Sequence, residues 1–157
     1  WARFMVQPPP QMMITDGGVV LARFESGSEE FAVTDRRRGR FDARVFLQRA
    51  GISDSPERAA LRCDDLGCTG LTAEGLLLAV TAAPEALEED CANADLIVFD
   101  GEVSAWRKRR CRALLLDDSA RAELGGLEFW VQNGQVIRMR SAQHMRRERL
   151  WGRATET

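Results

Sequence analysis

The stretch LLLAVTAAPEALEEDCANADLIVFD, residues 76–100, decides the fold class of this chain. The apolar residues 76–81 predict a strand. Pro84 and the acidic residues after it are typical of a helix start, because proline lacks an N–H and acidic side chains favour a helix N-terminus. Residues 95–100 are again apolar, which predicts a buried strand. Because a helix separates the two strands, we expect them to pair in parallel.

A second unit of the same kind follows along the chain. Residues 112–116 are apolar, Asp118 or Ser119 can cap a short helix that runs to Leu124, and Gly125-Gly126 ends it. This pattern predicts a further strand at residues 112–116, followed by a short helix.

Short strands joined by tight turns flank these units. Asn133-Gly134 between residues 127–132 and 135–140 is the strongest hairpin signal, and Asp16-Gly17-Gly18 predicts another between residues 12–15 and 19–24. Further segments are predicted as strands at 30–34, 60–63 and 68–72, as a turn at 53–57, and as an amphipathic helix from Arg40 to a stop at Gly51. We therefore expect a single small mixed α/β (α+β) domain with a short, partly antiparallel sheet and two main helices.

The domain boundaries follow from composition. Residues 1–11 end in three consecutive prolines, Pro8 to Pro10, which favour an extended linker. Residues 12–153 are expected to fold, and 154–157 form a polar tail. The longest apolar runs fall well short of the ~20 residues that a membrane-spanning helix needs.

Charge and histidine content limit the chemistry. The chain has 157 residues, 22 basic against 24 acidic side chains, a net charge of −2 and one histidine. The net charge gives no general attraction to nucleic acid, so any binding surface must be local. With one histidine, His144, the chain cannot build a site that needs two, and we expect His144 to be a surface residue.

The four cysteines, Cys63, Cys68, Cys91 and Cys111, allow three complete pairings. Zinc is disfavoured because a four-cysteine site usually contains two close pairs. A nucleophilic thiolate would need a basic partner, and none is evident. Bridges from Cys63 to Cys68 and from Cys91 to Cys111 require only an oxidising compartment. Four reduced, buried cysteines are the alternative.

Basic residues occur in three clusters. Trp106, Arg107, Lys108, Arg109 and Arg110 form the best candidate for nucleic-acid binding, because an aromatic ring stacks on bases and cations neutralise phosphates. A solvated basic loop is the more common meaning of such a run. The other clusters are Arg36, Arg37, Arg38, Arg40 and Arg44, and Arg146, Arg147, Arg149 and Arg153 with Trp151.

The carboxylates Asp95, Asp100 and Glu102 are the candidates for acid/base catalysis. Carboxylates at strand ends are more often solvated turn residues. A hydrolase would require the three to converge in one cleft.

Several segments resemble the soluble C-terminal domain of the ComEC family of DNA-uptake competence channels, in its alphaproteobacterial form. They are RCDDLGC (62–68), PEALEEDCANADLIVFD (84–100), the cysteine-led strand 111–116, RFDARVFLQRAG (40–51) and RRERLWGR (146–153). The similarity extends from about residue 12 to 153, and Leu150 stands where relatives tend to have proline. It implies an inner-membrane protein in which Trp1 lies just past the last spanning helix and this domain faces the periplasm.

Many channels of this family also carry a metallo-β-lactamase-like domain with a His-x-His-x-Asp-His zinc motif. This sequence has no such motif and one histidine. The resemblance therefore implies a non-catalytic accessory domain without a cofactor. Its implied partners are the membrane channel region of the same chain and single-stranded DNA, bound weakly, and no small-molecule substrate is indicated. The alternatives are a small zinc-independent hydrolase and a protein-interaction module.

Overall fold

The computed structural model describes residues 7–27, 29–52 and 55–144, and this part of the chain forms two mixed sheets. The strands are β1 (Met12–Ile14), β2 (Val20–Ala22), β3 (Ala32–Val33), β4 (Glu57–Arg58), β5 (Arg62–Cys63), β6 (Gly67–Leu71), β7 (Leu77–Thr81), β8 (Leu96–Phe99), β9 (Leu114–Leu116), β10 (Leu127–Gln132) and β11 (Gln135–Ser141). The first sheet has the order β11-β10-β1-β2-β3-β4 and the second the order β5-β6-β7-β8-β9. The predicted mixed α/β class is confirmed, with the strands divided between two sheets.

Helices lie on the outer faces of both sheets, except that Ala120 and Leu124 of the last helix pack against the core between the sheets. They are α1 (Arg40–Arg49), α2 (Leu87–Asn93), α3 (Ala105–Arg110) and α4 (Asp118–Leu124), with a 3₁₀ turn at Pro84–Ala86 before α2. Phe46 and Leu47 of α1 pack against the first sheet, and Leu87 of α2 packs against Ile97 of the second. The order of layers is therefore α1, first sheet, second sheet, and α2 with the segment around α3.

Strand alternation explains this layering. In β1, Met12 and Ile14 point into the core between the two sheets, while Met13 points to α1. In β8, Leu96 belongs to the same central core and Ile97 to the core beneath α2. Because successive side chains of a strand point to opposite faces, a strand that is apolar at every position is buried on both sides. The burial of all four residues of β8 confirms the prediction from residues 95–100.

The strongest turn signals are also confirmed. Asn133 and Gly134 both have positive φ, 51° and 74°, as a two-residue hairpin turn requires. β10 and β11 pair antiparallel on either side of this turn, and β1 and β2 pair antiparallel across residues 15–19.

The parallel pairing predicted around α2 is confirmed, and a second parallel pair that was not predicted lies next to it. β7 pairs in parallel with β8, and β8 with β9. α2 connects the first pair and α3 the second, so both helices begin near the carboxyl ends of these strands. This edge of the second sheet holds the loops that carry the candidate functional residues.

Two disulfides join Cys63 to Cys68 and Cys91 to Cys111. Cys63 and Cys68 face each other across the antiparallel pair β5–β6. The second bridge connects α2 to the residue that follows α3. The disulfide prediction is thus confirmed in the pairing that joins neighbouring cysteines along the sequence.

Residues 7–11, predicted as part of a linker, pack on the domain. The Trp130 indole N–H donates to the Pro8 carbonyl at 2.7 Å, and the Gln11 backbone N–H donates to the Phe129 carbonyl at 2.9 Å. The polyproline segment therefore lies against β10 of the first sheet. The remainder of the predicted linker, residues 1–6, and the tail 154–157 lie outside the described residues.

Other predicted elements are shorter or different in the structure. The strand expected at 30–34 is the two-residue β3, and the turn expected at 53–57 contributes Glu57 to β4, which pairs in parallel with β3. Helix α3 falls in a basic segment for which the sequence predicted no helix. Among the helices that the structure describes, none has the length and apolar character needed to cross a bilayer.

Candidate nucleic-acid interface

The predicted nucleic-acid-binding residues lie on α3, which is only six residues long. The Ser104 side chain caps its first turn by accepting from the Arg107 backbone N–H at 3.4 Å. Cys111, at the end of the helix, is held by its disulfide to Cys91. These two restraints fix a helix that is too short to be stable by itself.

Trp106 and Arg110 form the most distinctive feature of α3. The indole of Trp106 is 56% exposed, and the Arg110 guanidinium carbon lies 4.8 Å from its ring centroid. Residues four apart on a helix lie on the same face, which brings the ring and the cation together. This pair, with the exposed side chains of Arg107 and Arg109, is called the α3 patch below.

Lys108, predicted as part of the same cluster, has a different role. It points away from Trp106, and its Nζ lies 2.7 Å from Oδ2 of Asp117 and 3.1 Å from the Ser119 hydroxyl. The Asp117 side chain is fully buried. Lys108 therefore neutralises a buried carboxylate, and the patch offers three cations to a phosphate backbone where the sequence suggested four.

Asp117 also organises the start of α4. Its carboxylate accepts from the backbone N–H groups of Val103 and Ala120 at 2.9 and 3.0 Å. Burial raises the pKa of the Asp117 carboxyl, but hydrogen bonds from Lys108, Val103 and Ala120 to the ionised form outweigh burial and hold the pKa below its ordinary value. The ionised Asp117 carboxylate therefore connects α3, the loop before α3 and the first turn of α4.

An ion-pair chain connects the loop before α1 to the loop after β8. Asp100, just past β8, lies 3.3 Å from both Arg38 and Arg121. Arg121 is only 3% exposed; it also donates to the Phe99 carbonyl and pairs with Asp118. These contacts hold Arg38 of the second basic cluster against the loop that follows β8.

Gly18 makes the close packing of Arg121 feasible. A Cβ at position 18 would lie 1.9 Å from Nη1 of Arg121, and the residue has a φ of +83°. Both observations exclude a larger side chain, since positive φ is strained for other residues and the space is already filled.

The second basic cluster borders a groove of about 790 Å³. Arg36, Arg38, Arg40 and Arg44 line the groove beside α1. The sequence indicated these residues as a basic run but not as the walls of one concavity, because that depends on how the loops before and after α1 fold. The third cluster, residues 146–153, lies outside the described residues. His144 is exposed, as predicted.

The three candidate catalytic carboxylates do not converge. Asp95 precedes β8 and accepts from the Leu77 backbone N–H at 2.8 Å, whereas Asp100 and Glu102 follow β8. Five residues of extended chain separate Asp95 from Asp100 by about 16 Å. These three side chains therefore do not form one catalytic cleft. Within the described residues, no group of three or more histidine, cysteine, aspartate or glutamate side chains is placed to hold a metal ion.

Comparison of the chain with protein-family models, with curated proteins and with solved structures finds no match.

Proposed function

We propose that this chain is a non-catalytic, periplasm-facing accessory domain of a DNA-import channel of the ComEC type, and that it contacts single-stranded DNA through the α3 patch. The observation that carries the proposal is the exposed Trp106 ring held beside Arg110, with Arg107 and Arg109 exposed on the same short helix. Proteins that bind single strands without sequence preference combine aromatic stacking with backbone neutralisation.

Three further observations support the proposal. The sequence segments around the cysteines resemble that family, and two disulfides are typical of an oxidising compartment such as the periplasm. Of the three candidate catalytic carboxylates, Asp95 lies at the opposite end of β8 from Asp100 and Glu102. The membrane channel region of the same full-length protein is the expected partner.

The affinity should be low. The net charge of −2 provides no long-range attraction to a polyanion, so binding depends on three arginines and one ring. Contacts to phosphates and stacked bases also read no base edges, so we expect no sequence preference.

The test is fluorescence anisotropy with a labelled single-stranded oligonucleotide at low salt. Trp106→Ala should weaken binding by roughly 1 to 3 kcal/mol, the range for loss of one stacked base. Arg107→Ser with Arg109→Ser should also weaken binding. The matched control, Arg58→Ser with Arg62→Ser, removes the same charge from exposed positions elsewhere and should have a much smaller effect.

Two results would contradict the proposal. One is the absence of binding by the unsubstituted protein at low salt, which would favour a protein-interaction module. The other is an equal loss of affinity in the α3 variant and its control, which would mean that only the total charge matters.

A further inference from the structure

The outward face of α1 has a composition that internal packing does not explain. Its inward face is complete, because Ala43, Phe46 and Leu47 are buried against the first sheet. Phe41 lies in the first turn on the opposite side and is 74% exposed, more than any other large apolar residue in the described part of the chain. An aromatic ring in this position gains nothing from the fold.

The arginine side chains around Phe41 also take no part in ion pairs within the described residues. Within the part of the chain that the structure describes, the guanidinium groups of Arg36, Arg37, Arg40 and Arg44 make no ion pair. The acidic side chains closest in sequence do not neutralise them all. Oδ1 of Asp35 accepts from the backbone N–H groups of Arg37 and Arg38, at 2.8 and 3.2 Å, and Asp42 is a single exposed carboxylate.

A concave space lies along α1, next to the arginines that flank Phe41 in the sequence. Arg36, Arg40 and Arg44 contribute to the walls of the 790 Å³ groove, and the apolar side chains of Val33 and Leu47 also line it. A phosphate group that enters the groove would meet several guanidinium groups, which bind phosphate oxygens through paired N–H donors.

We propose that Arg36, Arg37, Arg40, Phe41 and Arg44, here called the α1 patch, bind the surface of a membrane that contains anionic phospholipids. Arginines attract the headgroup phosphates, and an apolar aromatic side chain on a helix that lies in the plane of the interface enters the boundary between headgroups and acyl chains. The helix is already folded against the sheet, so binding carries no cost of helix formation.

A lipid surface accounts for Phe41 better than a nucleic acid does. The ring of Phe41 has no stacked arginine of the kind that accompanies Trp106 among the described residues. A side chain without any polar atom gains most from an apolar medium. The α1 and α3 patches cover different sheets, so the proposed membrane contact and the proposed DNA contact use separate residues. The membrane proposal does not depend on the function proposed above.

The test is co-sedimentation of the purified chain with vesicles of phosphatidylcholine alone and of phosphatidylcholine with 30% phosphatidylglycerol. The protein should sediment with the anionic vesicles and much less with the neutral ones. Arg40→Ser with Arg44→Ser should lower the partition coefficient roughly twentyfold or more, at about fivefold for each arginine near an anionic surface. Phe41→Ser should lower it roughly severalfold, and this loss should persist at high salt because it is apolar.

The control, Arg62→Ser with Arg112→Ser, removes the same charge from exposed positions in β5 and before β9 and should bind vesicles almost as the unsubstituted chain does. Far-ultraviolet circular dichroism checks that each variant is folded, which is expected because the substituted side chains are exposed. Free glycerol 3-phosphate should not displace the protein from vesicles, because one phosphate cannot replace a surface that engages several arginines and a ring.

Four results would overturn the proposal. They are equal sedimentation with neutral and anionic vesicles, an equal loss in the α1 variant and its control, displacement by free glycerol 3-phosphate, and a loss of oligonucleotide binding in the α1 variant with vesicle binding unchanged. The last result would make the α1 patch a nucleic-acid site. A failure of the α3 variants to affect oligonucleotide binding would leave the vesicle result unchanged, so the two proposals fail separately.

Discussion

Replacement of Lys108 by methionine separates its structural role from phosphate binding. Methionine keeps much of the aliphatic length of lysine but removes the charge that faces the fully buried Asp117 carboxylate. Removal of one partner from a buried ion pair typically costs about 3 to 5 kcal/mol. Because the Lys108 side chain is 31% exposed and water screens part of the interaction, we expect Lys108→Met to lower the free energy of unfolding by about 2 to 3 kcal/mol.

The assay is urea denaturation at pH 7, followed by circular dichroism and extrapolated linearly to water. Arg109→Met is the matched control, since Arg109 is exposed on the same helix and makes no ion pair among the described residues. It should change stability by no more than about 0.5 kcal/mol. The double variant Asp117→Asn with Lys108→Met should lose less free energy of unfolding than the sum of the losses in the two single variants, because no buried charge is then left unpaired.

The reasoning is refuted if Lys108→Met and Arg109→Met are equally stable. It is also refuted if Lys108→Met leaves stability unchanged but lowers affinity for single-stranded DNA as much as the loss of Arg109 does. The first result would mean that the Lys108–Asp117 pair does not stabilise the fold, and the second would mean that Lys108 belongs to the α3 patch.

Two further predictions concern the disulfides and acid stability. By loop entropy, loss of the Cys91–Cys111 bridge, whose cysteines are 20 residues apart, should lower the free energy of unfolding by about 3.3 kcal/mol, and loss of Cys63–Cys68, 5 residues apart, by about 2.1 kcal/mol. Urea unfolding of the two variants, each with one pair of cysteines changed to alanine, should show this order of destabilisation. The reverse order would contradict the prediction. Because the folded pKa of Asp117 lies below its ordinary 3.8, its carboxylate stabilises the protein fully above about pH 4, and this stabilisation is lost as the pH falls through the folded value. Asp117→Asn should therefore flatten the loss of stability below pH 4, and an unchanged acid profile would exclude this contribution.

The sequence predicted the features that depend on local rules. The parallel strands around α2 follow from an apolar strand, a proline-led helix and a second apolar strand, and the β10–β11 turn follows from Asn133-Gly134. Neither prediction required knowledge of distant contacts. The second parallel pairing, β8 with β9, was not predicted, because the helix between these strands, α3, leaves no apolar period in the sequence.

The features that the sequence did not predict depend on tertiary structure. Helix α3 has six residues with none buried, so no apolar period reveals it. The role of Lys108 depends on Asp117, which lies beyond β9 and comes close only after the strands pair. The groove beside α1 requires the loops on both sides of that helix to be in place. The two-residue strands β3 and β4 are set by pairing with each other and leave no periodic pattern.

The salt dependence of single-stranded DNA binding tests the central claim most directly. With three exposed arginines at the α3 patch, the logarithm of the binding constant should fall with the logarithm of salt concentration with a slope of about −2, at about −0.7 for each neutralised phosphate. Arg107→Ser with Arg109→Ser should reduce the slope to about −0.7, whereas Trp106→Ala should weaken binding and leave the slope unchanged. A slope that does not respond to loss of the two arginines would contradict the claim that this patch contacts DNA.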